Sequence, residues 1–260
     1  IFKAYDIRGI YPDELNGPVA RAVSRAFAVF LKPRSVVIGR DVRTSGPVLA
    51  RAVIEALRAS GVDVIDIGVM PIDAVYFTIA HEKADGGIFI TASHNPRQWN
   101  GMSFSRRHAE PISSESGLQE IAGLAFAGAA LKRKRRGRYR RRNITEDYLE
   151  FVMSRAPLMH PRPMRIALNP NFGVSGRIFR RLVRKYRLPF ELVAINDRPD
   201  GRFPKGPPNP LLPQNRHEFS RFIRTHPADF GVAWDADGDR CFIVDERGRF
   251  PQNRGGAYIA

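Results

Sequence analysis

Cysteine is nearly absent from this sequence, and long apolar runs are missing. The one cysteine among the 260 residues is Cys241, so no intramolecular disulfide can form. It lies in an apolar run, and we predict a buried core thiol. No stretch reaches the roughly 18 consecutive apolar residues of a membrane-spanning helix, and residues 1–9 lack the apolar core of a signal peptide. We therefore expect a cytoplasmic protein without a membrane partner.

Acidic residues are scarce relative to basic ones. The chain has 26 Asp and Glu against 42 Lys and Arg, a formal net charge of +16. This excess favours anionic partners, either nucleic acid or small phosphorylated substrates. The densest basic cluster is residues 132–142, which we interpret as a solvated linker or surface, with a phosphate-attracting cleft edge as the alternative. No nucleic-acid-binding motif accompanies the cluster, so we expect no specific nucleic-acid partner.

The length and the 43% hydrophobic content suit two globular domains. Strand-like and helix-like patterns alternate along the chain, which predicts a layered α/β architecture. We place the boundary near residue 140, with a first domain over 1–140 and a second over 141–260. The predicted helices are 18–31, 48–60, 71–81, 113–127, 145–154, 177–186 and 215–225, and the predicted strands are 35–39, 61–68, 88–90, 165–169, 191–195, 230–234 and 241–244. We predict a turn at 100–101 and a rigid loop at 200–210.

The first candidate for chemistry is the loop after the predicted strand 88–90. Two glycines mark the start of that strand and Pro96 ends regular structure, so Ser93 is expected to be exposed at the strand end. A hydroxyl beside an imidazole and an amide, here His94 and Asn95, can accept a phosphoryl group if a metal and cationic groups neutralise its charge. The Ser-His pair alone is a weak signal because neighbouring residues on an extended segment point apart. The string 91–96 is far more specific.

The second candidate is the loop that contains Asp235, Asp237 and Asp239, between two apolar strands. Along an extended loop these carboxylates can converge on one side and offer hard oxygen ligands to Mg²⁺. We interpret them as a metal site suited to phosphoryl transfer. An EF-hand is a less favoured alternative: Glu246 would occupy position 12, but position 6 is Arg240 rather than glycine and the flanks are strands. A structural acidic turn is disfavoured because the carboxylates would repel one another without a cation.

Two further segments have both a structural and a functional interpretation. Residues 170–176 form a glycine-rich turn before a helix, which could hold phosphate through backbone N–H groups or allow close packing. We favour packing because the full spacing of a nucleotide-binding motif is missing. Arg8 could bind a phosphate, but on the local residues alone an ion pair with Asp6 or another acid is better supported.

The strings Thr91-Ala92-Ser93-His94-Asn95-Pro96 and Asp235-Ala236-Asp237-Gly238-Asp239-Arg240 together resemble those of the α-D-phosphohexomutase family, in particular its bacterial phosphomannomutase/phosphoglucomutase members. Segments 2–9, 200–204 and 208–213 look like segments of that family, in the same order. The resemblance covers nearly the whole chain and implies two consecutive layered α/β domains with mixed sheets, the first two of the family's four. Because the sequence lacks an initiator methionine and stops within 256–260, we expect a fragment of a longer protein.

The resemblance also implies a reaction and a set of site residues. A phosphoserine would donate its phosphate to a hexose monophosphate, and a hexose 1,6-bisphosphate would return it from the other position, so that hexose 1-phosphate and 6-phosphate interconvert. The implied cofactor is Mg²⁺. The implied catalytic residues are Ser93, His94 and Arg8, the phosphate-binding residues are Arg8, Asn95 and Arg240, and the metal ligands are Ser93, Asp235, Asp237 and Asp239.

Two departures from the family pattern bear on activity. Where the family has Asn-Gly-x-Lys, this chain has Asn100-Gly101-Met102-Ser103, so the expected cationic acid/base is absent. The hydroxyl of Ser103 is a poor substitute, and neighbouring arginines stay protonated. No later Gly-Glu-x-Ser sugar loop or C-terminal phosphate segment follows, and residues 43–46 look only superficially like the latter. We expect negligible mutase turnover from these residues alone, and a non-catalytic phosphosugar- or anion-binding homologue is the alternative.

Overall fold

The computed structural model describes residues 1–131 and 135–250, together with the backbone of 256–258. The chain divides into two compact units, Ile1–Ala92 with Gln98–Ile144, and Ser93–Arg97 with Thr145–Ala260. The division after Ile144 lies four residues beyond the boundary predicted near 140. Sequence patterns did not indicate that Ser93–Arg97 groups with the second unit.

The first unit contains a mixed sheet with helices. Its strands are β1 (Ile7–Ile10), β2 (Ser35–Arg40), β3 (Asp63–Val69), β4 (Gly86–Ile90), β5 (Trp99–Arg106) and β6 (Tyr139–Arg141), and its helices are α1 (Gly17–Leu31), α2 (Gly46–Ala59), α3 (Ile72–His81) and α4 (Gln119–Phe126). The sheet order within the described residues is β1-β5-β4-β2-β3-β6. Strands β2, β3, β4 and β6 run parallel, whereas β5 is antiparallel to β1 and β4.

Helices cover both faces of this sheet. Adjacent strand residues face opposite sides, and the two glycines of β4 illustrate the result. A Cβ on Gly86 would contact Phe27 and Leu31 of α1, whereas a Cβ on Gly87 would contact Ile79 of α3. The glycines therefore allow α1 and α3 to pack closely on opposite faces, and β4 is buried along its whole length.

The second unit repeats this layered design. Its strands are β7 (Met164–Asn169), β8 (Phe190–Ala194), β9 (Phe230–Trp234), β10 (Arg240–Val244) and β11 (Gly256–Tyr258), and its helices are α5 (Thr145–Arg155), α6 (Ser175–Lys185) and α7 (Pro213–Thr225). The described sheet order is β11-β10-β9-β7-β8, with β7 parallel to β8 and β9 and with β10 antiparallel to β9 and β11. Phe219 of α7 and Phe179 of α6 belong to separate apolar clusters. Because alternate residues of β7 and β9 enter the two clusters, the helices lie on opposite faces.

The predicted turn at 100–101 is wrong. Asn100 and Gly101 lie inside β5, where Gly101 pairs with Arg8 of β1. A Cβ on Gly101 would lie 2.5 Å from the carbonyl oxygen of Thr91 and would also collide with that of Ile7. The glycine therefore permits a close approach of backbones and does not form a turn.

The predicted helix 113–127 is also revised. Ser113 occupies the N-cap position, and Ser116 completes a reciprocal capping box with it. A π-helical turn, Ser114–Leu118, then precedes α4, and Gly117 at φ 135° breaks the helical geometry between them. A left-handed φ of this kind is accessible mainly to glycine.

The basic cluster 132–142 is only partly a linker. Residues 132–134 lie outside the described residues, but Tyr139–Arg141 forms β6 at the edge of the first sheet. Asp63 accepts contacts from Arg135 at 2.8 Å and Arg138 at 3.3 Å, and Glu82 pairs with Arg140 and Arg142. These carboxylates fix the described part of the cluster to the first unit.

The thiol of Cys241 is less buried than the sequence predicts. Cys241 on β10 is half-buried, against the prediction of a fully buried thiol, and burial raises its pKa to about 11. It packs beside the cluster that contains Trp234.

Among the described residues, no helix combines the length and apolar character needed to cross a membrane.

Candidate active site

The serine loop begins where β4 ends, and a buried polar network holds its first residue. Thr91 donates its hydroxyl to Oδ2 of Asp41 at 2.8 Å, and its N–H to the carbonyl of Gly101 at 3.1 Å. Asp41 also accepts from Nε of Arg43 at 3.0 Å, and both side chains of this ion pair are fully buried. Arg43 is thus already paired inside the first unit. This agrees with the interpretation that residues 43–46 resemble the family's C-terminal phosphate segment only superficially. The network anchors the chain two residues before Ser93.

Ser93 is held in an unusual conformation. Its φ is 47°, in the left-handed region that non-glycine residues rarely occupy. The residue is 3% exposed, against the expectation of an exposed hydroxyl. Its Oγ donates to Oδ2 of Asp235 at 2.7 Å and lies 3.1 Å from Nδ1 of His94. Because the hydroxyl has one hydrogen and gives it to Asp235, the second contact is a hydrogen bond only when His94 presents Nδ1–H to the oxygen.

The three aspartates converge, as predicted. One carboxylate oxygen from each of Asp235, Asp237 and Asp239 lies within 4.8 Å of the others. The loop is bent rather than extended, with Gly238 at φ 81°. Oδ1 of Asp235 accepts the N–H groups of Gly238 at 3.2 Å and Arg240 at 3.3 Å, which closes the bend. The convergence therefore comes from a turn and not from strand alternation.

Burial and like charge make this cluster costly without a cation. Asp235 and Asp237 are almost fully buried, and the side chain of Asp239 is 36% exposed. Burial, followed by the neighbouring charges of Asp237 and Asp239, raises the pKa of Asp235 well above its usual value. A divalent cation would reverse this effect by favouring the ionised carboxylates.

The donor set fits Mg²⁺. The cluster offers only carboxylate oxygens, with the Ser93 hydroxyl beside them, and hard oxygen ligands are those that Mg²⁺ prefers. Oδ1 of Asp239 is a buried atom that makes no hydrogen bond to any described residue. An oxygen in this state lacks the partner that a buried polar atom requires, and a metal would supply it. The flanking strands β9 and β10 pair antiparallel, so the EF-hand alternative is wrong.

Arg240 lies at the rim of the cluster. Its Nε is 3.9 Å from Oδ2 of Asp235 and 3.9 Å from Oδ1 of Asp239. The Nε atom is buried and makes no hydrogen bond to a described residue. The guanidinium is therefore close enough to the carboxylates for charge attraction, while its Nε–H is not committed to them.

Sequence reasoning missed the residues that support the aspartate loop. Asn171, at φ 46°, donates Nδ2 to the carbonyl of Trp234 at 2.7 Å, directly before Asp235. Gly173 lies so close to Ala236 that a Cβ would be 2.6 Å from its carbonyl oxygen. The same carbonyl accepts the N–H of Val174 at 3.1 Å. The glycine-rich turn 170–176 thus packs closely, as we favoured from the sequence, and its packing partner is the loop that contains the aspartates.

The remaining predicted residues have the following positions. Arg8 lies on β1 in the first unit and donates from Nε to Asp6 at 2.7 Å, the ion pair considered from sequence. Asn95 is half-buried in the serine loop and belongs to the second unit. Ser103, at the position of the family's lysine, lies on β5 opposite Phe89. The structure thus brings together Ser93, His94, Arg240 and the three aspartates.

Comparison with known proteins agrees with these motifs. Residues 1–131 match the family description "Phosphoglucomutase/phosphomannomutase, alpha/beta/alpha domain I", and residues 146–248 match domain II of the same family. A Xanthomonas campestris protein named "Phosphohexose mutases" is 45% identical over 249 residues, which are 96% of this chain and 55% of that protein. The phosphomannomutase of Escherichia coli K12 is 39% identical over 254 residues, 96% of this chain and 56% of that protein. The chain thus spans about half the length of these relatives.

Solved structures give the same result. A phosphoglucomutase/phosphomannomutase family protein from Burkholderia thailandensis superposes with a TM-score of 0.86 at 32% identity, covering 96% of this chain and 55% of that one. A protein described as a putative phosphomannomutase from Thermus thermophilus gives a TM-score of 0.85 at 26% identity, covering 96% and 58%. The predicted fold class and the family resemblance are confirmed.

Proposed function

This chain belongs to the phosphoglucomutase/phosphomannomutase family, and we propose that its Ser93 accepts and returns the phosphoryl group in a phosphohexomutase reaction. The observation that most supports this role is the 2.7 Å hydrogen bond from Ser93 Oγ to Asp235, which belongs to a carboxylate cluster with the donor set of a metal site. The names of the relatives indicate the substrate class, a phosphorylated hexose.

The transfer step follows from the position of the hydroxyl. Ser93 Oγ forms a bond to the phosphorus of a hexose 1,6-bisphosphate while the bond from that phosphorus to the sugar oxygen breaks. The hydroxyl proton, initially shared with Asp235, is taken up by the departing sugar oxygen. The reverse step delivers the phosphoryl group to the other position of the hexose, so 1-phosphate and 6-phosphate interconvert and no nucleotide is consumed.

Positioning and charge neutralisation provide most of the rate enhancement in such transfers. The left-handed φ of Ser93 and its two side-chain contacts fix the nucleophile before the reaction begins. Mg²⁺, held by Asp235, Asp237 and Asp239 together with the oxygen on Ser93, supplies positive charge to the transferred group when bound. In this proposal Arg240 contacts the phosphoryl oxygens, while His94 and Asn95 shape the loop and orient its donors. The phosphate-binding role of Arg8 remains an expectation from the family resemblance.

Mass spectrometry tests the half-reaction directly. The chain, dephosphorylated beforehand, is incubated with Mg²⁺ and glucose 1,6-bisphosphate and then digested. We expect one phosphoryl group on the peptide that contains Ser93, absent after chelation of the metal. Ser93→Ala removes this signal, whereas the matched control Ser154→Ala, at an exposed position on α5, retains it. Phosphate on another peptide, or its persistence in Ser93→Ala, would refute the assignment.

A non-catalytic phosphosugar-binding role is the second candidate, favoured by Ser103 at the position where the family has lysine. The two functions give different results in the same assay. A binding module would bind hexose phosphate in calorimetry but leave the Ser93 peptide unmodified. A phosphorylated Ser93 would exclude a purely binding role.

A further inference from the structure

The second unit has a groove outside the proposed active site. It lies between α7 and the turn that follows β10, and its volume is about 830 Å³. Small-molecule sites in proteins typically fall between about 300 and 1,000 Å³. Gly248, at φ 76°, brings the turn against α7, since a Cβ there would lie 2.6 Å from the carbonyl of Ser220. The turn and α7 are therefore in close backbone contact at Gly248 and Ser220, two of the residues that line the groove.

The groove presents hydrogen-bond donors along one stripe of α7. Arg216, Ser220 and Arg224 follow one another at four-residue spacing, and His217 lies beside them. Neither arginine forms an ion pair with a residue in the described part of the chain, and the hydroxyl of Ser220 makes no hydrogen bond there. These donors thus remain available to a ligand.

The acceptor in the groove is already used. Asp245 receives Nε of Arg249 at 2.6 Å on one oxygen, and the N–H groups of Arg247 at 3.0 Å and Arg249 at 2.7 Å on the other. Because the carboxylate of Asp245 is already paired with Arg249, it is not available to a metal cation or to a cationic ligand. An acceptor-rich anion matches the donors that are left.

Arg216 is oriented by an aromatic ring before any ligand arrives. Its guanidinium lies 4.9 Å from the ring centroid of Phe250, which is itself 8% exposed and packs against Phe219. The ring attracts the cation without using its hydrogen-bond donors, so the N–H groups of the guanidinium remain for contact with a phosphate. A preoriented arginine loses less side-chain entropy on binding than a free one does.

We propose that this groove binds a small molecule with a chain of phosphate groups, as in a nucleoside di- or triphosphate. Arg216 and Arg224 are eight residues apart, or about 12 Å along a helix. A chain of phosphates spans more of this distance than a single phosphate does, and it offers more oxygens to the two arginines. The site is independent of Ser93 and of the aspartate cluster, and it takes the phosphate chain without Mg²⁺.

Calorimetry with tripolyphosphate tests the proposal, at physiological salt and with a chelator that removes metal from the aspartates. We expect one binding site per chain, with inorganic phosphate binding about tenfold more weakly or worse. R216Q/R224Q should weaken tripolyphosphate binding by at least about tenfold. The charge-matched control R184Q/R221Q, which removes two exposed arginines outside the groove, should bind like wild type. Ser93→Ala should also bind like wild type, which separates this site from the proposed active site.

A single substitution covers the case in which the double variant loses structure. Ser220→Glu places a carboxylate between the two arginines and should abolish binding while the circular dichroism spectrum stays unchanged. The proposal is overturned if wild type does not bind tripolyphosphate, if both double variants weaken binding equally, or if inorganic phosphate binds as tightly as tripolyphosphate. Equal weakening would indicate general surface charge rather than this groove.

Discussion

Gly173→Ala should loosen the aspartate loop through one added methyl group. The Cβ would lie 2.6 Å from the carbonyl oxygen of Ala236, 2.7 Å from its Cα and 2.9 Å from its carbonyl carbon. All three atoms belong to the backbone, so no side-chain rotation relieves the contact. To lengthen 2.6 Å to the 3.4 Å lower limit of ordinary contact, the two backbone segments must separate.

The free-energy change combines two opposing effects. Overpacking of a filled site costs about 1–3 kcal/mol. Replacing glycine by alanine restricts the unfolded chain, which offsets about 0.4–1 kcal/mol of that cost. We therefore expect the second unit to be destabilised by about 1.3 kcal/mol, the difference of the two midpoints, and by at most about 2.6 kcal/mol. The hydrogen bond from the N–H of Val174 to the same Ala236 carbonyl, 3.1 Å long, opposes the separation and should lengthen.

The chain offers a specific reporter for this measurement. Its two tryptophans are Trp99, on β5 of the first unit, and Trp234, at the end of β9 in the second. In a Trp99→Phe background, urea unfolding followed by fluorescence reports on the second unit alone. Gly123→Ala is the matched control, since a Cβ on this α4 glycine meets no atom within 4 Å. Because Gly123 lies in the first unit, this control should leave the unfolding transition reported by Trp234 unchanged.

Mg²⁺ binding provides a second measurement on the same variants. Ala236 lies between Asp235 and Asp237, so displacement of its backbone moves two of the three carboxylates. We expect the affinity of Gly173→Ala for Mg²⁺ to fall by at least about tenfold in calorimetry, equivalent to about 1.4 kcal/mol. An unfolding midpoint and a Mg²⁺ affinity that both equal those of wild type would refute the steric reasoning.

Two other perturbations test the polar interactions of each unit. Arg43→Met leaves the fully buried Asp41 without its cation and should destabilise the first unit by about 3–5 kcal/mol. Urea unfolding followed by Trp99 fluorescence measures this loss, and D41N/R43M should recover part of the lost stability. Full wild-type stability of Arg43→Met would contradict this account. Hydrogen bonds from the side chain and N–H of Arg202 lower the pKa of Asp200 to about 2. The stability that ionised Asp200 gives to the fold is therefore present above the ordinary pKa of an aspartate and is lost as pH falls toward 2. In Arg202→Gln, an NMR titration should show the pKa of Asp200 returning toward its usual value.

Elements set by local patterns were predictable. Helix α1 (Gly17–Leu31) was expected at 18–31, because apolar residues at helical spacing follow Pro18, and β9 (Phe230–Trp234) was predicted residue for residue. Residues 200–210 form no helix or strand, as their proline and glycine content predicted. In each case the information lies within a few residues of the element itself.

Elements that depend on distant neighbours were missed. Asn100-Gly101 is a turn signal locally, but its backbone pairs with β1, which precedes it by more than 90 residues. The edge strand β6 was read as part of a basic linker because its partner β3 lies more than 70 residues earlier. No pattern within either segment indicates such pairings.

The site shows the same division between local and distant information. The convergence of Asp235, Asp237 and Asp239 was predictable from their spacing, although a bend rather than an extended loop produces it. The Ser93 to Asp235 hydrogen bond joins residues 142 positions apart, and only the family resemblance linked the two loops. The support from Asn171 was not predicted, because its contact with the carbonyl of Trp234 involves backbone that any sequence could present.

The distribution of positive charge shows why density along the chain is a poor guide to an anion site. Residues 132–142 are the most basic stretch, yet Asp63 and Glu82 each engage two of its arginines. Arg216 and Arg224 are separated in sequence and form no prominent cluster, but helix α7 places them on one stripe without a carboxylate partner among the described residues. Whether a cation can bind a ligand depends on the partners that the fold supplies, and these are visible only in three dimensions.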